Sequence, residues 1–271
     1  MPEDFESSPA ASRRRGRIAS FDTGYEVEFD FPQRTDPPSL RYMLAAVPRT
    51  GSTFLAHLLW RTGCLGSPLE YLDFSSEGHQ GHLCSSPDGQ IASWRVALAT
   101  RTSPNGAFGF KSFLMQLRNL ARDNEALLDM LQPTQIVYVM RRDRVAHAVS
   151  YARAHLTGVW CEEQANGANE QVDYSFEALR RAESWIEAQE EQWERLFDKL
   201  GVTPLRLWYE DVVERPDVTV EAVAGHLGVV LDPAAGVEVP AIRKQTGGDA
   251  RHWAAAYARD RAAAPRPDAR G

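Results

Sequence analysis

Four short apolar runs punctuate an otherwise mixed chain: "RYMLAAV" (41–47), "AFGFK" (107–111), "TQIVYVM" (134–140) and "TPLRLWY" (203–209). Each is too short and too continuously apolar for an amphipathic helix and reads as a buried strand. Apolar positions spaced three or four apart follow each run. They predict helices over 52–62, 112–131 with a break near 119–123, 144–155 and 219–227. A longer helix, 175–200, precedes the fourth strand. Its residues Phe176, Leu179, Ala182, Trp185, Ile186, Gln189, Trp193, Leu196 and Phe197 mostly keep the helical spacing, with Ser175 as N-cap and Gly201 as stop. Strands that are apolar throughout and alternate with helices imply a mainly parallel sheet with helices on both faces, an α/β fold.

Composition narrows the setting. The 271 residues are 43% hydrophobic and 10% aromatic, enough for a substantial core. A net charge of −7 argues against nucleic-acid binding by bulk electrostatics, although local basic clusters can still hold small anions. No apolar run approaches the ~20 residues of a membrane span, and no signal-peptide pattern is present. The three cysteines, Cys64, Cys84 and Cys161, are too few for a disulfide framework, so a cytoplasmic setting is the simplest. Residues 1–20, containing "SSPAASRRRGR", are expected to form a disordered arm. Residues 21–258 then form one domain, and 259–271 a frayed tail.

Chemistry concentrates after the first strand. In parallel sheets ligands bind beyond the carboxyl ends of the strands. There "RTGST", residues 49–53, places a flexible Gly51 before the hydroxyls of Ser52 and Thr53 at a predicted helix start. Amide groups and the helix dipole favour an anion at such a point, whereas the plainer reading is a turn capped by Ser52. The loop lacks the lysine of an ATP- or GTP-binding GxxxxGK[ST] motif, and no strand ends in a magnesium-binding aspartate. "IVYVMRRD" ends in arginines instead. Arg142 and Ser150 lie eight residues apart at and on the predicted helix 144–155, a spacing suited to gripping one phosphate.

Taken together and in order, "RTGST", "SPLEYL", "FGFK", "YVMRRDRVAHAVSYARAHLTGVW" and "LRLWYEDVVERPDVTVEAVAGHLGV" resemble the sulfotransferases that use 3′-phosphoadenosine 5′-phosphosulfate (PAPS), in particular the bacterial trehalose 2-sulfotransferase-like branch. The resemblance runs from about Tyr42 to Trp253. It implies a P-loop-like sulfotransferase fold and a sulfuryl transfer from PAPS to a hydroxyl of a carbohydrate, glycolipid or glycosylated metabolite. It places the 5′-phosphosulfate on Arg49, Thr50, Gly51, Ser52 and Thr53, and the 3′-phosphate on Arg142 and Ser150. Arg243 and Lys244, in "IRKQTGG", correspond to a loop closing over the nucleotide. The absent lysine then has a reason: sulfuryl carries less charge than phosphoryl, the family needs no metal, and Arg49 can steady the departing phosphate oxygen. A homodimer is an expectation from the resemblance alone.

The base is the remaining choice. In animal cytosolic sulfotransferases a histidine stands two residues after a lysine, but "KSF" at 111–113 lacks it. The trehalose branch uses a glutamate in P-x-E-Y, which corresponds here to "PLEY" and Glu70. From the residues alone Glu70 is a loop carboxylate in an ion pair or cap, and the resemblance makes it the base. Lys111 either contacts sulfate or is a buried lysine paired with an acid. Glu210 and Asp211 are expected to stabilise the core and cap a turn, and Trp160 to line a cleft or simply pack. His79, His82 and Cys84 resemble a soft-metal set without a second ligand group, and are better read as a substrate-side loop. Two rival readings stay open: a small-molecule kinase, which would need the missing lysine and magnesium acid, and a catalytically silent nucleotide-binding module.

Overall fold

The computed structural model describes residues 23–75, 84, 86–160, 172–232, 237–240 and 248–263. Four strands, β1 (Leu40–Ala46), β2 (Ala107–Phe113), β3 (Gln135–Met140) and β4 (Leu205–Trp208), form one sheet in the order β2-β1-β3-β4. Every pairing is parallel, with Leu44 opposite both Lys111 and Val137. The chain passes from β1 to β2 on one side and then to β3 on the other. The order therefore reverses between β1 and β3, and this is where a crevice opens at the carboxyl ends of such sheets. The apolar runs predicted all four strands within two residues at either end.

The helices among the described residues are α1 (Ser52–Trp60), α2 (Pro87–Thr100), α3 (Leu114–Asp123), α4 (Glu125–Leu131), α5 (Arg144–Thr157), α6 (Phe176–Leu200), α7 (Tyr209–Glu214), α8 (Pro216–Leu227) and α9 (Gly248–Ala263). The expected break falls at Asn124, which ends α3 and caps α4 by accepting the Leu127 N–H at 3.1 Å. Ser175 caps α6 through the Ala178 N–H, and Gly201 stops it at φ 65°. Three helices escaped the pattern. Along α2 only Trp94 and Ala97 are buried, too sparse a stripe to show a period. Six-residue α7 grows directly from β4, so Tyr209, expected as a strand end, opens a helix. In α9 the buried set is Trp253, Ala256 and Tyr257, diluted by alanines. It runs to Ala263, beyond the expected domain end at 258.

The described residues divide into two compact units. One holds the described residues within 23–142 and 189–240, with the whole sheet; the other holds 143–160, 172–188 and 248–263. In the sheet unit, Trp94 meets Phe108 and Phe110 edge-on at 5.3 and 5.2 Å, and Trp193 donates its indole N–H to Ala46 O at 3.1 Å. In the helical unit, Tyr151 stacks on Trp185 at 4.4 Å, and the Tyr257 hydroxyl bonds Glu183 at 2.7 Å. Among the described residues no helix is long and apolar enough to cross a membrane.

His57 sits almost fully buried on α1, and burial, reinforced by Arg61 and Lys111, lowers its pKa to about 4. An unfolded histidine takes up its proton near pH 6.5, so between pH 6.5 and 4 the unfolded chain binds a proton that the folded one refuses. This contribution to stability is present above pH 6.5 and is lost as pH falls toward 4, by up to about 3 kcal/mol. Urea unfolding across that window should show a steeper loss for the natural chain than for His57→Gln.

Candidate active site

The loop between β1 and α1 is held in an unusual shape. Arg49 and Gly51 both adopt left-handed backbone, at φ 73° and 74°. Between them, buried Thr50 folds its hydroxyl back to Val47 O at 2.8 Å. A Cβ on Gly51 would lie 2.3 Å from the Tyr209 ring, so glycine is required there twice over, by conformation and by space. Left-handed Arg49 carries a strain that glycine would not. Its carbonyl accepts from Arg141 Nη1 at 3.3 Å, and the Arg141 guanidinium lies 4.9 Å from the Tyr209 ring centre. Arg141 and Tyr209 are supports that motif reading missed.

Gly51 is also the N-cap of α1 and supplies no side-chain acceptor, while Ser52 lies buried inside the first turn. The plain turn capped by Ser52 is thus not what forms. The first amides of α1 and its positive dipole end open instead without a capping side chain, the chemistry an anionic group matches.

Glu70 comes to this loop through the Cys64–Leu72 segment, which runs beside β2. Lys111 N–H donates to Leu69 O at 2.8 Å, and Leu69 and Tyr71 turn inward. The Tyr25 hydroxyl accepts the Glu70 N–H at 2.8 Å and donates to Glu70 O at 3.3 Å, fixing the backbone at the next position. That phenol is driven well above its usual pKa by burial first and by the Glu70 charge second, so it stays protonated. The Glu70 side chain then meets Lys111 Nζ at 2.8 Å and Gln116 Nε2 at 2.5 Å. Lys111, only 5% exposed, also donates to Thr53 Oγ1 at 3.0 Å. Its amine therefore joins the carboxylate to the loop. The acid paired with Lys111 is Glu70.

Arg142, at the end of β3, makes a two-pronged pair with Asp211 at 2.8 and 2.6 Å over the Trp208 ring, and its own N–H donates to Glu210 at 3.1 Å. Glu210 and Asp211 open α7 and engage this arginine at the surface rather than the core. The arginine hydrogen bond holds the Asp211 carboxyl below its usual pKa. Ser150 lies on α5, in the helical unit, one turn before Arg153, whose guanidinium sits 5.9 Å from the Trp253 ring. Arg243, Lys244, His79 and His82 lie outside the described residues; Cys84 is buried. Trp160 is 39% exposed and packs edge-on to Tyr151 at 5.9 Å.

Known proteins resemble the chain over most of its length. Two trehalose 2-sulfotransferases are each 26% identical to the chain. The one from Mycolicibacterium smegmatis is matched over 81% of this chain and 94% of its own length, and the one from Mycobacterium tuberculosis over 83% and 96%. Among solved structures, the sulfotransferase domain from the curacin biosynthetic pathway aligns with a TM-score of 0.44 and 18% identity, covering 79% of this chain and 82% of that one. Residues 41–260, which hold the loop, Glu70, Lys111 and Arg142, match the Stf0 sulphotransferase family, and the chain belongs to it as an enzyme that transfers sulfate.

Proposed function

We propose that this sulfotransferase takes its sulfuryl group from PAPS and delivers it to a hydroxyl of a carbohydrate, glycolipid or glycosylated small metabolite. The observation that carries the reading is the chain of contacts from Glu70 through Lys111 to Thr53, with distances of 2.8 and 3.0 Å. It sets a carboxylate, a cation and an uncapped helix start side by side. The donor supplies an activated sulfuryl group on a 5′-phosphate. Arg49, Thr50, Gly51, Ser52 and Thr53 would hold that end, and Arg142 and Ser150 would take the 3′-phosphate. Arg243 and Lys244 are assigned to the nucleotide from the sequence.

Glu70 acts as general base. As the acceptor oxygen bonds to sulfur, the sulfur–oxygen bond to the 5′-phosphate breaks. The hydroxyl proton passes to Glu70, and the leaving phosphate oxygen takes the bonding pair. Arg49 and the first amides of α1 offset the charge that builds there, while Lys111 faces the transferred group with a fixed positive charge. No step calls on a metal. A sugar acceptor agrees with the trehalose named in the two relatives.

The test is incubation with PAPS, excess chelator and a panel of trehalose, glycolipids and glycosylated alcohols, read by mass spectrometry for adenosine 3′,5′-bisphosphate and a sulfated product. Sulfation only with added magnesium, or donor binding with no product from any alcohol, would overturn the reading. Glu70→Gln keeps an acceptor for Lys111, so it should fold and bind PAPS within about twofold of the natural chain while turnover falls by about 10²–10⁴. Gly51→Ala should do the opposite. A left-handed alanine costs roughly 1–2 kcal/mol and its methyl displaces the Tyr209 ring, so PAPS affinity measured by calorimetry should fall at least about tenfold.

A further inference from the structure

We infer that Gln116 is a positioning residue for the Glu70 carboxylate: its amide, locked in one orientation by the start of α3, holds one carboxylate oxygen and so sets which lone pairs of Glu70 face an acceptor hydroxyl. This rests on the reading of Glu70 as the base. The orientation of the amide follows from chemistry alone. Gln116 Oε1 lies 3.0 Å from the backbone nitrogen of Phe113, and a backbone N–H can only donate. The oxygen of the amide therefore faces Phe113, with the Ser112 hydroxyl as a second neighbour at 3.3 Å, and the NH₂ group faces Glu70 Oε1 at 2.5 Å. Gln116 is only 6% exposed, so its amide is largely shielded from water.

The consequence is a division of labour around one carboxylate. Gln116 holds Oε1, Lys111 holds Oε2 at 2.8 Å, and Tyr25 pins the backbone of the same residue. A carboxylate offers about four lone-pair sites, so two donors leave room for a substrate hydroxyl while fixing the plane it must approach. Because the amide contact to Phe113 is half of a helix cap, the element that begins α3 also aims the base.

Two substitutions separate aiming from capping. Gln116→Glu keeps an oxygen acceptor for the Phe113 N–H but gives up the donor to Glu70 and adds a like charge. Gln116→Met removes both contacts at similar volume. The Glu70 carboxyl carbon is followed by ¹³C NMR at one fixed pH, assigned as the resonance missing from Glu70→Gln. In both variants that resonance should shift, because one carboxylate oxygen has lost its donor. Turnover with PAPS and the best acceptor of the panel should fall at least about tenfold with the acceptor KM little changed, while PAPS affinity stays within about twofold. A resonance and a turnover unmoved in both variants overturn the inference even if Glu70→Gln is inactive. Turnover that survives Glu70→Gln overturns the base assignment instead, and leaves the NMR shift as a measure of Gln116 alone.

Discussion

A lysine amine removed from water must be answered by an acceptor, and much of this site follows from that demand. Lys111 stands on an interior face of β2, where its charge would be costly without a partner. Glu70 and Thr53 supply two acceptors, from segments on either side of it in space. The ammonium thereby ties the loop after β1 to the segment beside β2 in a way apolar packing could not. Apolar contacts are non-directional, whereas an ammonium with acceptors at 2.8 and 3.0 Å fixes where each of them sits. Leucine at 111 would bury as well but leave the carboxylate and the hydroxyl without a common partner.

The sheet sets the stage for that contact. Because the strand order reverses at β1, the loop leaving β1 and the arginines ending β3 emerge beside one another, and Arg141 reaches the Arg49 carbonyl directly. Tyr209 then closes the arrangement from β4 by filling the space a Cβ on Gly51 would need. Each of the three strands thus contributes one constraint on five residues, and the left-handed turn at Arg49 persists because those constraints agree.

Much of this was legible in the sequence, for identifiable reasons. Strands buried on both faces are continuous apolar runs, and those runs predicted β1 to β4. Helices with a clear stripe, such as α6, were equally plain. α2 and α9 were not, since few of their residues are buried or their buried positions are small. At the site, the arginine, glycine and hydroxyls of 49–53 declared themselves as a motif, and P-x-E-Y pointed to Glu70. Gln116 and Tyr25 carried no such signal, because neither belongs to a short motif. Their importance comes from contacts 46 and 45 residues away along the chain. Asp211 was visible, but its partner was not; only the fold brings it to Arg142.

The two ion pairs at the strand ends differ in a way that matters for an anionic donor. Arg142 and Asp211 are about half and a third exposed, so water and salt screen their attraction and each can exchange its partner at small cost. A guanidinium accepts a phosphate in the same two-pronged geometry as a carboxylate, which makes Asp211 a replaceable occupant of the fork. Lys111 and Glu70 are the contrary case. Their side chains are 7% and 18% exposed, and separating them would leave a charge in a poorly solvated place. One pair is therefore open to exchange and the other is held in place, which agrees with the proposed division between an arginine that would recognise the donor and a half-buried carboxylate that would act as base.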